Sequence, residues 1–459
     1  MGLHADGQIS ALVALIKDTA NTIESYCKNS SLPPIPSLDS SDSHPLDSAF
    51  TSAPLGDAVR VLEGACAQLC ATLARPSHTV LNRAFQFFEP TCLNVVIAFK
   101  IADILQGHPF GMHVKEIGEK AGVDHEPLGQ IMRLLATKHI FREVTADCFA
   151  NNRLSLQLLS SNPLVSYISF CNEINKPAWT VVEVLTNSNQ GKIERSPWNK
   201  LSGFERSMFE YFEAGTVEGK NQGAQFGLGL RGWNDAVQAA AVISDFPWVR
   251  YPPGTIVNDL GGGIGTMAME LIKAFPNLQL KLQDRPDRIH QAETEVWPEL
   301  LPSAIAEKRI EFKAIDFFVD SPIEGCDVYY LKNVLLNWPD EKCIQILRNI
   351  RAVLKPSACL LVHDFILQHT HRHHTQAGTP QVDSALRLKE APEPLLPNYG
   401  AGNVHQYDLD IALMVLMNTR QRTLEEFANI AKKADLRFVK VWQTGEMAVL
   451  EFRPILQAL

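Results

Sequence analysis

The sequence predicts an α/β protein: a mostly parallel sheet with helices on both faces, finished by an antiparallel hairpin and preceded by a helical module. From residue 255 onward, short apolar strands alternate with helical patterns: Thr255–Val257, Leu278–Leu282, Ile310–Ala314, Val328–Leu331 and Cys359–Phe365. Strict strand–helix alternation implies parallel pairing, because each crossover needs a helix. Phe438–Gln443, a Thr444-Gly445 turn and Met447–Phe452 then read as a hairpin. Gly261, Gly262, Gly263 and Gly265 stand between the first strand and a helix over Thr266–Ala274, which Pro276 and Asn277 stop.

Taken in order, the chain starts with a helical pattern over residues 8–27. A Ser-, Pro- and Asp-rich stretch follows, Asn29–Pro54, which cannot bury a core of its own. Residues 55–73 read as a second helix, in which Cys66 and Cys70 are expected to pack. The run LNVVIAFKIADIL reads as one apolar helix ending near Gly107. Two further helices, joined by a turn at Gly122–Asp124, and two short strands, Phe141–Val144 and Cys148–Ala150, complete a winged-helix pattern. The presumed recognition helix, Glu126–His139, carries few basic residues and the net charge is −9, so nucleic acid is excluded as a partner and dimerisation is the expected role. Residues 155–250 look helical and aromatic-rich, and the six glycines of Gly215–Gly232 imply close backbone packing or mobility. The expected division is an arm and linker over 1–80, a winged-helix dimerisation domain over 81–200 and an α/β domain over 201–459.

Strand, glycine turn, helix, strand and a terminal acid, Asp284, make a nucleotide-binding βαβ unit, with the acid about 20 residues on placed for ribose hydroxyls. The spacing is G-x-G-x-G, with Thr266 where a dinucleotide fingerprint wants its third glycine. Asp259 before the turn would repel a pyrophosphate and suits a cationic amino group, so S-adenosylmethionine fits the polarity better. Lys332 ends a strand on the edge where such sheets bind ligands. Nine scattered cysteines without a C-x-x-C pair suit a reducing compartment. With no 18-residue apolar run and no signal-peptide pattern, a cytoplasmic protein without a membrane partner is expected.

Over roughly residues 85–455 the chain resembles the plant and fungal small-molecule O-methyltransferases of the caffeate, flavonoid and polyketide type. The resemblance implies a Rossmann-like class I S-adenosylmethionine methyltransferase fold, a winged-helix dimerisation domain and a homodimer. It also implies roles. DLGGGIG (Asp259, Gly261, Gly263, Gly265) would lie at the methionine end of the cofactor, Asp284 on the ribose, Asp316-Phe317 beside adenine and Lys332 near the methionine carboxylate. Arg285 is a further candidate at the cofactor, with a surface ion pair as its bland alternative.

The resemblance breaks where the chemistry belongs. The family reads L-(K/R)-x-x-L-H-D-W-x-D-E, and its histidine deprotonates the acceptor hydroxyl; here LKNVLLNWPDE places Leu336 at the histidine and Asn337 at the aspartate. The family's G-(K/R)-E-R-T orients that histidine with a glutamate; here TRQRT has Gln421. Asp364 of HDFIL remains where the family has an acid. Three readings follow. The chain resembles the fungal O-methyltransferase-like pericyclases of leporin and 2-pyridone biosynthesis, which would use cofactor charge and an Asn337 N–H to stabilise a substrate carbonyl. Alternatively it transfers methyl to a pre-ionised acceptor or through another base, or it is a non-catalytic cofactor-binding subunit. Met208, Phe212, Trp338, Leu413, Met414 and Met417 are candidate walls for an apolar substrate. The HTHRHH tract (His369, His371, His373, His374) is expected to be an exposed loop and not a metal site. His108, His113, His139 and His405 are weaker candidates for an acid.

Overall fold

The computed structural model describes residues 5–47, 52–186, 195–372 and 387–456. They form two compact units. One comprises residues 1–49, 65–186 and 197–236; the other comprises 50–64, 187–196 and 237–459. These divisions fall elsewhere than the sequence boundaries at 80 and 200. Residues 201–236 pack with the helical unit because their glycines admit a neighbouring helix. On Val217–Ala236, a Cβ at Gly232 would sit 2.2 Å from the Leu164 amide nitrogen, and one at Gly229 would sit 2.7 Å from that of Tyr167. Close packing thus accounts for Gly219, Gly223, Gly229 and Gly232, while Gly215 and Gly227 have nothing within 4 Å of their Cβ directions.

In the helical unit the run over 93–105 is not one helix. Phe88–Ala98 ends, Lys100 turns left-handed at φ 52°, and Ile101–Ile104 begins a new direction. The break turns Ile101, Ala102 and Leu105 into the core with Val96, Ile117, Met132 and Phe149. Val114–Ala121 and His125–Thr137 follow, joined by a left-handed Gly122; Asp124 caps the second by accepting the Glu126 N–H at 3.0 Å. Met112–His113, Cys148–Ala150 and Arg142–Thr145 form a small antiparallel sheet, in that order. Cys66 and Cys70, expected to pack, are exposed, and all nine cysteines are free thiols. The Ser/Pro-rich segment is pinned in part: buried His44 contacts the Pro33 carbonyl at 2.9 Å, and Asp47 pairs with Arg153.

The second unit is built on a sheet of β1 (Ile256–Leu260), β2 (Gln279–Asp284), β3 (Ile310–Ala314), β4 (Val328–Lys332), β5 (Cys359–Asp364), β6 (Leu436–Thr444) and β7 (Met447–Pro454). Its order is β6-β7-β5-β4-β1-β2-β3, parallel except where β7 pairs with β5 and β6. Such sheets are buried on both faces, and β5 is buried at every position. Two apolar clusters cover the faces, one around Leu260, Leu331 and Ile346, the other around Val257, Leu271 and Trp297. The chain runs outward from β1 through β2 to β3, then returns to β4 on the other side of β1. That reversal opens a crevice beyond the carboxyl ends of β1 and β4, where open α/β sheets bind ligands. No helix among the described residues is long and apolar enough to cross a membrane.

Gly232→Ala should lower stability by about 1–3 kcal/mol through overpacking, read as a lower urea midpoint at unchanged m-value. An unchanged midpoint would mean the two helices can part at no cost.

Candidate active site

The crevice is lined by the ends of four neighbouring strands, β5, β4, β1 and β2. β1 delivers Asp259, which is 1% exposed, with neither carboxylate oxygen meeting a hydrogen-bond partner among the described residues. The glycine turn lies directly on it: a Cβ at Gly262 would stand 2.5 Å from the Asp259 carboxyl carbon. Gly261, Gly263 and Gly265 have φ of 75°, 62° and 85°, values that L side chains resist. Open space surrounds the Cβ direction of Gly263, whereas side chains at Gly261 and Gly265 would strike Val334 and Trp297. β2 delivers Asp284, whose carboxylate accepts the Gly263 and Arg285 N–H groups, each at 2.7 Å. Asp284 thus ties the turn down. Arg285 is half-buried and caps the helix Pro286–Gln291.

Beyond β3, Asp316 is exposed and accepts the Phe318 N–H at 2.9 Å. The Phe317 ring lies 3.7 Å from the Cβ direction of Gly261 and edge-on to Trp338 at 6.1 Å; Trp338 meets Phe318 at 4.7 Å. Trp338, expected as a substrate wall, therefore packs with Phe317, expected beside adenine, and with Phe318.

Charge alternates across the strand ends. Burial pushes the Asp259 carboxyl up to about 7 against the pull of Lys332, and Asp284 adds to the rise. Burial also draws Lys332 down to about 8, opposed by Asp259 and Asp364. Asp364, at the end of β5, is fully buried and pushed up to about 7 by burial, opposed by the Phe365 N–H, Arg422, Lys332 and Gln421. Its Oδ1 accepts the Phe365 N–H at 2.9 Å, while Oδ2 meets no partner at hydrogen-bond distance among the described residues, although the Gln421 amide lies close enough to favour the charged form. Gln421 is buried beside it, since Arg422 pairs in register with Ile366.

Leu336 and Asn337 occupy a short turn, Leu335–Asn337, with Leu336 5% exposed. Asn337 Nδ2 donates to the Asn333 carbonyl at 3.0 Å, which leaves its second N–H. Two residues that the sequence reading passed over hold this turn. Arg422, 1% exposed, grips Asp340 through Nε and Nη2 at 2.9 and 2.8 Å and the carbonyls of Leu335 and Trp338 at 2.9 and 2.7 Å. Its signal was in plain view as the last arginine of TRQRT. Asn333, left-handed at φ 54°, carries a buried Oδ1 without a partner.

Helix His405–Met417 packs on that turn, with Leu413 and Met417 buried and Met414 half-buried. Met208 and Phe212 belong to the core of the helical unit, where Phe212 packs against Phe226 at 5.8 Å. His108, His113 and His139 are exposed on that unit, and His113 caps Val114–Ala121. His369 and His371 are exposed and stacked at 5.2 Å; His373 and His374 lie outside the described residues. Among the described residues no group of three or more His, Cys, Asp or Glu could hold a metal.

An unpaired buried carboxylate under an open glycine cradle, a ribose acid and an aromatic rim fit S-adenosylmethionine. Asp259 would hold the amino-acid end, Asp284 the ribose and Asp316-Phe317 the adenine. These features define a class I methyltransferase-fold cofactor site. Residues 183–388 match the O-methyltransferase domain and residues 81–161 the O-methyltransferase dimerisation domain. The chain is 36% identical over 449 residues to 3-O-methyltransferase 2 of Phanerochaete chrysosporium, covering 97% of each protein. The chain belongs to the O-methyltransferase family. Among solved structures it is similar to the mitomycin 7-O-methyltransferase MmcR (TM-score 0.64, 23% identity, 83% of this chain and 98% of that one). It is also similar to a structure titled "A Pericyclic Reaction enzyme" (TM-score 0.67, 16% identity, 86% of this chain and 93% of that one). At those identities the likeness shows the shared fold.

Asp259→Asn should weaken binding of S-adenosylhomocysteine by about 10–100-fold, the worth of a charge-assisted hydrogen bond, in calorimetric titration. Unaltered affinity would remove Asp259 from the cofactor site. A second expectation concerns pH. Asp259 and Asp364 hold their protons in the folded, cofactor-free chain up to about 7. The folded state therefore binds more protons than the unfolded one above the ordinary carboxylate range, and stability falls as pH rises toward 7. Asp364→Asn should flatten that fall, as measured by urea unfolding across the window.

Proposed function

We propose that this protein is a small-molecule O-methyltransferase whose proton acceptor is Asp364, not an imidazole. The observation that carries the reading is the Asp364 carboxyl: buried, with one oxygen lacking a hydrogen-bond partner among the described residues, raised to about 7, and within the field of Arg422, which grips the Leu335 carbonyl of the turn that bears Leu336. A general base works best with a pKa near the operating pH, and burial brings this carboxylate into that range. S-adenosylmethionine supplies the electrophilic methyl group and a fixed positive charge when bound. The chain's own residues do the rest. Arg422 fixes the Leu335–Trp338 backbone, and Leu336, Leu413 and Met417 exclude water. Gln421, uncharged where the family has a glutamate, adds no second anion beside Asp364. An acceptor with an acidic phenol or enol hydroxyl suits such a base. The 36%-identical relative, matched end to end and named as an O-methyltransferase, supports methyl transfer. The match to a dimerisation domain, with Phe85, Phe87, Phe88 and Trp179 exposed on the same unit, supports a homodimer.

A second reading keeps the cofactor but transfers no methyl. It is favoured by the paired loss of imidazole and glutamate at Leu336 and Gln421, and by the spare N–H of Asn337, which can donate to a substrate carbonyl during a cyclisation.

A mass balance on the cofactor separates the two. The purified protein is incubated with S-adenosylmethionine and a panel of phenols, acidic enols and dehydration-prone pyridone alcohols. Stoichiometric S-adenosylhomocysteine and a product heavier by one CH₂ are expected, with Asp364→Asn lowering kcat by about 10²–10⁴-fold at unchanged S-adenosylhomocysteine affinity. An isomer or a dehydrated product, formed only in the presence of unconsumed cofactor, would overturn methyl transfer in favour of the cyclase. Full activity in Asp364→Asn would remove that residue as the base.

A further inference from the structure

Residues 53–64, the first turns of helix Ala53–Leu73, group with the sheet unit although the chain on either side of them groups with the helical one. Their seating is specific. Leu55 and Ala58 are buried. Arg60 Nη1 donates to the Gly445 carbonyl in the β6–β7 turn at 2.6 Å, and its guanidinium lies 5.3 Å over the Tyr399 ring. Asp57 pairs with Arg60 and accepts from Lys389 Nζ at 2.8 Å. Two glycines set the approach: a Cβ at Gly64 would stand 2.3 Å from the Tyr399 carbonyl oxygen, and one at Gly402 would stand 2.0 Å from that of Arg60. Glu63 lies in the field of the His405–Glu446 pair, whose atoms meet at 2.9 Å.

Besides the β6–β7 turn, these contacts fall on Lys389, Tyr399 and Gly402, and the segment 389–404 leads to the site. Asn398 Nδ2 donates to Tyr407 Oη at 2.8 Å, and Tyr407 Oη donates to the Gln368 carbonyl at 2.6 Å, just beyond β5 and Asp364. Arg372 Nη2 holds the Ala391 and Leu395 carbonyls at 2.6 and 2.8 Å. Tyr407 belongs to helix His405–Met417, which packs on the Leu335–Asn337 turn.

We propose that residues 53–64 are a strut of the sheet unit, fixing 389–404 and through it the helix His405–Met417 on the acceptor side. Arg60, Asp57 and Gly402 are then positioning residues that touch neither cofactor nor acceptor. The assignment of that side as the acceptor's rests on the function proposed above, but the test requires no acceptor and stands apart from it.

Hydrogen exchange by mass spectrometry is measured on the full chain saturated with S-adenosylhomocysteine. Arg60→Ala and Gly402→Ala should each raise exchange across 389–417 by about tenfold, with β1 and β4 unchanged, because opening is local. Arg60→Lys, able to reach Gly445, should restore most of the protection, and S-adenosylhomocysteine affinity should stay within about twofold of wild type. Exchange that rises only within 53–64, or uniformly over the chain, would overturn the strut. Lys389→Ala, an exposed end of the same contact, serves if either variant fails to fold. Unaltered exchange in 389–417 with Lys389→Ala would then count against the proposal.

Discussion

The sheet unit is arranged around a buried carboxylate that meets no hydrogen-bond partner among the described residues. Asp259 is buried at the end of a central strand, both oxygens unpaired, under a turn whose glycines alone can lie that close. An ionised carboxylate in such a place is costly unless it is paired, so the protein offsets it with Lys332 one strand away and leaves room for a cationic ligand. The strand order follows the same logic. Reversal between β1 and β4 sets Asp259 and Lys332 on one crevice, and β5 then brings Asp364 to the other side of the lysine.

Strand alternation and the hairpin were readable because parallel strands buried on both faces are apolar runs, whereas the seven-stranded order was not, since it depends on the side of β1 to which the chain returns. The glycine turn and its two acids were readable because they are local in sequence. What the sequence hid is what depends on distant partners. Lys100 looks like any helical residue, yet it breaks the helix so that Ile101 and Leu105 can enter the core. Arg422 has a neighbour of opposite charge only because Asp340 lies 82 residues earlier. Cys66 and Cys70 follow helical spacing, and spacing alone does not say which face of a helix is covered.

The uncharged side chain at Gln421 has a physical consequence for Asp364. A glutamate there would be a second anion and would push the proton affinity of Asp364 higher still. The value of Asp364 near neutrality is the balance between burial, which raises it, and the Phe365 N–H and the nearby Arg422 and Lys332 charges, which lower it.

The seating of residues 53–64 also constrains how the chain can acquire its structure. Arg60 and its partner Gly445 are 385 residues apart, and the segment between them completes most of both units. During synthesis the helix that carries Arg60 is made before the β6–β7 turn and must wait for it. Contacts of such sequence separation are slow to close, and chains that wait for them are prone to associate with one another. Neither unit is a continuous stretch of sequence, so neither can be released as a single fragment: removing the N-terminal arm takes a piece of the sheet unit with it. The β6–β7 turn thus sets the moment at which helix Ala53–Leu73 becomes secure.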